Sequence, residues 1–213
     1  MKRRLVITLG RQFGSGGRSI GKRLAEELGI EYYDKELIKL AAKESGIADS
    51  FFEKADEKGG VSSLFSAFSL GGVGIGGTMF FQSNDYLSSE SLFKIQSDVI
   101  RKVAADRSCV IVGRCADYIL RGDPDCISIF ICGDERDRLR RIMKYSGITK
   151  VAEARSQMRK ADKTRAEYYN YYTDKTWGSS DSYDFCINSS TFGEEQTYQI
   201  IKSICVDIMN KDK

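Results

Sequence analysis

The sequence predicts an α/β protein, a three-layer α/β/α sandwich on a five-stranded parallel sheet, and three observations predict it. Short β-prone runs alternate with amphipathic helical runs, the order in which strands feed crossover helices. Two runs, CVIV at residues 109–112 and ISIFIC at 127–132, are apolar on both faces, which suits strands covered on both sides. The 213 residues carry no long internal repeat and no evident linker, so one core is expected.

The first strand is Val6, Ile7, Thr8 and Leu9. It runs into a turn with glycines at 10, 14, 16 and 17, and an amphipathic helix with Ile20, Leu24 and Leu28 follows. Such a loop lets backbone N–H groups converge without Cβ obstruction at the positive end of a helix dipole, so a phosphate is the expected guest. EYYD at 31–34 reads as a second strand that delivers Asp34 at its end, and KELIKLAAKESG at 35–46 as a helix. FFEKADEK at 51–58 continues as helix.

Residues 59–84 then break the pattern. They hold no charge, and seven glycines alternate with Phe65, Phe68, Leu70, Val73, Ile75, Met79, Phe80 and Phe81. The length alone would permit a membrane span, but Gly and Ser dilute the hydrophobicity, so a loop or hairpin inserted beside a substrate cleft is expected, with a disordered loop as the alternative. No membrane partner is expected. Residues 86–106 read as a long helix with an apolar stripe of Leu87, Leu92, Ile95, Val99, Ile100 and Val103. Strand 109–112 ends in Gly113 and Arg114, before a helical turn (ADYIL) and the sole proline, Pro124. Strand 127–132, a basic helical region, strand 183–187 (YDFCI), a polar loop at 188–191 and a terminal helix at 194–209 complete the order. Ligands of such sheets bind beyond the carboxyl ends of the strands, where the glycine loop, Asp34, Arg114 and the 188–191 loop all emerge.

Composition removes several classes. With no histidine, Ser-His and Cys-His nucleophile pairs and histidine metal sites are excluded. Six cysteines without a C-x-x-C pair, several inside apolar runs, read as reduced core residues. MKRRLVITLG has too few apolar residues for a secretory signal, so a cytoplasmic location is expected. Net charge is only +3, yet residues 133–165 hold 11 basic and 5 acidic residues, a local charge of +6. That cluster lacks the regular aromatic interleaving of a base-stacking surface, and no nucleic-acid partner is expected. Tyr168, Tyr169, Tyr171 and Tyr172 follow it without an assigned role.

Two phosphate-binding patterns compete for the glycine loop. The dinucleotide pattern G-x-G-x-x-G fits the spacing of Gly14, Gly16 and Gly17 poorly, and G-x-x-x-x-G-K-[ST] is met only by QFGSGGRS at 12–19, with arginine for lysine. The basic region favours phosphoryl transfer, which needs several cations around two sets of phosphate oxygens. Arg155, Arg159, Lys160, Lys163 and Arg165 have near-helical spacings that put several cations on one side.

These segments together resemble the cytidylate kinase-like branch of the P-loop nucleoside monophosphate kinases. VITLGRQFGSGGRSIGKRLAEELGIEYYDKELI resembles the opening of that family, CVIVGRCADYIL its Gly-Arg strand end, and ADKTRAEYY its arginine-bearing lid. The resemblance implies a single kinase-like domain over 1–213, with 47–84 as an acceptor-side insertion and about 145–172 as a mobile basic lid. By the same resemblance Gly14, Ser15, Gly16, Gly17, Arg18 and Ser19 cradle the phosphates of ATP, with Ser19 near Mg²⁺, while Asn188, Ser189, Ser190 and Thr191 flank the donor base. Asp34 and Arg114 meet the acceptor nucleotide and its phosphate, and Arg159, Asp162, Lys163 and Arg165 form the lid. The implied activity is transfer of the γ-phosphoryl group of ATP to a CMP-like nucleoside monophosphate, by a monomer or a homodimer. Two features depart from the pattern. Gly17 or Arg18 stands where the loop lysine belongs, and Cys115 replaces an acidic residue after Arg114. They keep open a nucleotide-binding regulator impaired in transfer, and a kinase for another small metabolite.

Overall fold

The computed structural model describes residues 3–34 and 89–210. Among the described residues five strands form one parallel sheet: β1 (Val6–Arg11), β2 (Glu31–Tyr33), β3 (Cys109–Val112), β4 (Cys126–Cys132) and β5 (Phe185–Asn188). Their order is β2-β3-β1-β4-β5. Val6 lies opposite both Cys109 and Cys126, and Leu9 opposite Val112 and Ile129, so the ends of β1, β3 and β4 emerge side by side. The helices are α1 (Gly17–Leu28), α2 (Ser89–Asp106), α3 (Ala116–Ile119), α4 (Glu135–Ser146), α5 (Val151–Thr173) and α6 (Ser189–Asn210).

The double-sided apolar runs have the expected cause. On one face Ile7, Leu9, Val110, Val112, Ile129 and Ile131 pack with Ile20 and Leu24 of α1 and with Tyr198, Ile201 and Cys205 of α6. On the other, Val6, Thr8, Cys109 and Ile111 are equally buried, so neither face could carry a polar alternation. Each fully buried isoleucine contributes about 1.5–3 kcal/mol relative to exposure. α1 lies close against the sheet: a Cβ on Gly21 would stand 2.7 Å from Leu9 Cδ1. It stops at Gly29, whose left-handed backbone returns its N–H to the carbonyls of Ala25 and Glu26.

The chain divides into two compact units, one of Met1–Leu37 with Ile100–Lys213 and one of Ile38–Val99. The sheet belongs to the first. Of the second, the described part is residues 89–99, the N-terminal half of α2. The expected helix at 86–106 is described from Ser89 onward. The expected helices at 35–46 and 51–58 and the uncharged stretch 59–84 lie outside the described residues, as does the insertion 47–84.

Three local expectations are revised. The basic region is two helices, α4 and α5, parted at Gly147 (φ 70°). The polar loop at 188–191 is short: Asn188 ends β5 and Ser189 opens α6, which breaks at Gly193 (φ 77°, ψ 162°) and resumes beyond it. All six cysteines are free thiols, but Cys186 is exposed, because β5 is an edge strand whose outer positions are uncovered. Cys109, Cys115 and Cys205 are buried as expected. Among the described residues no helix is long and apolar enough to cross a membrane.

Candidate active site

The loop between β1 and α1 is tied to the neighbouring strand at its entry. The Gln12 N–H donates to the Ile131 carbonyl at 3.0 Å, and Gln12 Oε1 accepts from the Gly133 N–H at 3.0 Å. Gly14 (φ 78°) and Gly16 (φ 84°) make the turn, and α1 opens at Gly17. The first turn of α1 contains no acidic residue, and no side chain caps it. Its amide hydrogens and dipole are therefore available to an external anion. Ser15 is buried and donates from Oγ to the Gln12 carbonyl at 2.9 Å. Ser19 Oγ lies 2.8 Å from the Gly16 carbonyl and donates to Glu194 of α6. That carboxylate flanks the loop closely, since a Cβ on Gly16 would stand 3.1 Å from Glu194 Cδ.

Two helices of the basic region clamp the outside of the loop. Arg138 of α4 donates from Nε to the Phe13 carbonyl at 2.8 Å and pairs with Asp162 of α5. Asp162 Oδ1 in turn accepts the Phe13 N–H at 2.7 Å. Arg141 reaches the Gly14 carbonyl at 3.3 Å and Ser189 Oγ at 3.1 Å. Arg165 donates to the Arg11 carbonyl at 3.2 Å, and its guanidinium lies over the Phe13 ring. Burial holds the Arg165 pKa below the usual arginine range.

At the end of β3, Gly113 (φ 78°), Arg114 (φ 62°) and Cys115 (φ 55°) are consecutively left-handed. Two non-glycine residues in that region carry strain of the kind stored at functional sites, about 1–3 kcal/mol each. The turn aims Arg114 toward Tyr168 of α5, 5.9 Å from its ring centre. Cys115 is not a reactive substitute for an acidic residue, because burial pushes its thiol up to about 12. Asp34, at the end of β2, accepts from Arg18 Nη2 at 2.8 Å.

Arg11 completes this side. Its pKa is pushed down to about 9, first by burial and then by the charge of Arg165, with Arg114 adding to it and Asp34 opposing. A guanidinium does not shed its proton at neutral pH, so the shift marks a cation held among cations with too little counter-charge. Such a place attracts an anion.

The structure thus brings together Gly14, Ser15, Gly16, Gly17 and Ser19 on the loop, with Arg114, Asp162 and Arg165 around it. Arg18 instead turns its exposed guanidinium to Asp34. Arg159 and Lys163 lie on the outer surface, where they pair with Glu135 at 4.0 Å and Glu167 at 3.7 Å. Asn188, Ser189 and Ser190 bond among themselves and to neighbours: Asn188 Nδ2 donates to Asp134, Ser190 Oγ accepts the Asp134 N–H, and Ser189 Oγ lies 2.8 Å from the Ser15 carbonyl. Arg11, Arg138, Arg141 and Glu194 were not expected at the loop. A signal existed for two of them, because Arg138 and Arg141 flank Leu139 and Ile142 on the apolar face of α4.

A parallel sheet in this order, with a glycine loop at its centre opening a helix and arginines converging on it, defines an α/β protein of the P-loop kinase type. The chain belongs to the cytidylate kinase-like family, whose model matches residues 6–191. It is 24% identical over 220 residues to a cytidylate kinase of Methanopyrus kandleri, an alignment covering 98% of this chain and 96% of that one. Among solved structures, an uncharacterised protein from Eubacterium ventriosum is 30% identical with a TM-score of 0.69, over 95% of this chain and 98% of the other. A shikimate kinase from Acinetobacter baumannii in complex with shikimate, 13% identical with a TM-score of 0.51, covers 99% of this chain and 97% of its own, and shares the fold. Family and fold together place the protein among kinase-type phosphotransferases.

Proposed function

We propose that the protein transfers the γ-phosphoryl group of ATP to a nucleoside monophosphate of the CMP type. The observation that carries this reading is the convergence, beyond the carboxyl ends of β1 and β3, of an uncapped helix head behind a glycine loop with the cations Arg11, Arg114 and Arg165. Loop and cations suit two phosphate groups facing each other. The relative named cytidylate kinase supports a pyrimidine acceptor.

In this reading the amides of the loop and of Gly17, Arg18 and Ser19 hold the donor phosphates. Arg114 holds the acceptor phosphate, Asp34 the acceptor nucleotide, and Asn188, Ser189 and Ser190 border the donor base. An oxygen of the acceptor phosphate forms a bond to the γ-phosphorus as the bond to the bridging β,γ-oxygen breaks, and ADP leaves with that electron pair. The attacking oxygen is already ionised, so no histidine or other general base is needed. Mg²⁺ bound to the donor phosphates would neutralise their charge, and Ser19 Oγ beside Glu194 supplies oxygens of the kind it takes. Residues of about 145–172, with Asp162 and Arg165 inward and Arg159 and Lys163 outward, act as the lid that excludes water. A cytoplasmic place, where ATP is abundant, belongs to this reading.

The test is turnover of ATP·Mg²⁺ with a panel of ribonucleoside and deoxyribonucleoside monophosphates, and with small hydroxyl metabolites alongside. ADP formation with CMP or dCMP is expected; turnover only with a metabolite would move the acceptor assignment. A second reading, a nucleotide-binding regulator without transfer, is favoured by Gly17 in the lysine position and by Arg18 turning to Asp34. Tight ATP binding with no acceptor consumed would establish it.

A further inference from the structure

The side-chain space at Gly17 is filled from elsewhere in the chain. A Cβ at Gly17 would stand 2.7 Å from Arg11 Cβ and 3.2 Å from Arg11 Cγ. The same arginine runs on to the end of β3, where a Cβ at Gly113 would stand 2.1 Å from Arg11 Nη1. Arg11 therefore lies in a slot that is glycine at both ends, and a larger residue at either end would displace it. Its head group ends between the phosphate loop and the left-handed turn that carries Arg114. Among the described residues no carboxylate stands within ion-pairing distance of it.

The other arginines around the loop are engaged. Arg18 pairs with Asp34, Arg138 with Asp162 and the Phe13 carbonyl, and Arg141 with Ser189 and the Gly14 carbonyl. Arg165 is bonded through Nη1 to the Arg11 carbonyl, which fixes the backbone from which Arg11 springs. A lysine at position 17 and an arginine at position 11 would compete for one volume, and the sequence has the arginine.

We infer that Arg11 delivers, from the end of β1, the charge that a loop lysine delivers from the head of α1, and that its guanidinium binds the γ-phosphate of a nucleoside triphosphate on the side facing Arg114. The inference rests on the donor-site reading above and adds the residue that completes it. A planar fork in place of a point charge can bridge two oxygens at once, which suits a group passing between two phosphates. Burial among like charges makes the anion more welcome than it would be to an exposed, paired arginine.

Calorimetric titration of the full chain with ATP, ADP and a non-hydrolysable ATP analogue, in the presence of Mg²⁺, tests this without needing the acceptor. The native protein is expected to prefer triphosphate over diphosphate at least tenfold. Arg11→Met is expected to lose that preference while holding ADP as before, and Arg11→Lys to keep part of it. The exchange variant Arg11→Gly with Gly17→Lys, which also removes the Arg11 Cβ that a Cβ at 17 would meet, is expected to recover it. A folded Arg11→Met protein that retains the full preference overturns the inference, as does a native protein that binds both nucleotides equally, and in both cases the donor site itself still stands. A native protein that binds no nucleotide overturns the donor site and the inference together. Should Arg11→Met not fold, the exchange variant decides: a recovered preference supports the role of Arg11, and its absence overturns it.

Discussion

Asp162 of α5 accepts the backbone N–H of Phe13 at 2.7 Å while its other oxygen pairs with Arg138 of α4. One carboxylate thus binds the phosphate loop to both helices of the basic region. Asp162→Asn removes the charge that Arg138 is buried against, and a stability loss of about 2–3 kcal/mol is expected. Urea unfolding measures it, and an unchanged midpoint would show that the clamp is held by packing instead.

Gly16→Ala puts a Cβ at φ 84° and 3.1 Å from Glu194 Cδ. The left-handed backbone costs about 1–2 kcal/mol, and the methyl displaces the carboxylate that Ser19 contacts. Nucleotide affinity is expected to fall at least tenfold in calorimetry, beyond what the modest fall in melting temperature explains.

Arg114→Gly separates strain from function. The left-handed φ of 62° suits glycine, so stability is expected to stay within about 1 kcal/mol of the native protein. The KM for the acceptor is expected to rise at least tenfold. Arg159→Ala, at an exposed site, serves as the comparison and should leave stability unchanged within about 0.5 kcal/mol.

Glu27 carries an acid dependence. Lys202 first, with Arg23 beside it, holds its pKa down at about 2 against an ordinary 4.5. A depressed folded-state value means the stabilisation is present above pH 4.5 and lost as pH falls from there toward 2. Glu27→Gln is expected to lose less stability over that window, and 1 M salt should shrink the difference, because the group lies at the surface. Equal acid sensitivity of the two proteins would place the dependence elsewhere.

Cys186 is the cysteine exposed on the edge strand, whereas the thiols of Cys109, Cys115 and Cys205 are buried and pushed up to about 12. A thiol reagent on the native protein is expected to label Cys186 first, and mass spectrometry of the early product identifies it. Early labelling at Cys115 would contradict the burial of the β3 turn.

The fold was legible because its cause is local. Short runs such as CVIV and CISIFIC, rich in β-branched residues, favour covered strands, and the glycines after β1 favour a loop that opens a helix. The place of the candidate site was legible in its loop and at Arg114, where sequence neighbours set the local backbone. It was not legible at Arg11 or Glu194, which come to the loop only when the ends of β1, β3 and β4 lie side by side and α6 returns to it. The cysteine expectation failed at Cys186 for a related reason: a strand pattern does not say which strand is the edge. Nor does the charge of the basic run from 133 to 165 by itself say which arginines turn inward. Arg138 does, and Arg159 does not.

The arginines at 11, 114 and 165 are far apart in the chain and meet only when the sheet is formed. Their repulsion is therefore absent from the unfolded chain and falls wholly on the native state. Any anion that settles among them stabilises folding by mass action, in proportion to the logarithm of its concentration over its dissociation constant. The melting temperature of this protein thus reports on its solvent as well as on its sequence. It should be higher in phosphate than in a buffer of bulky organic ions at equal ionic strength.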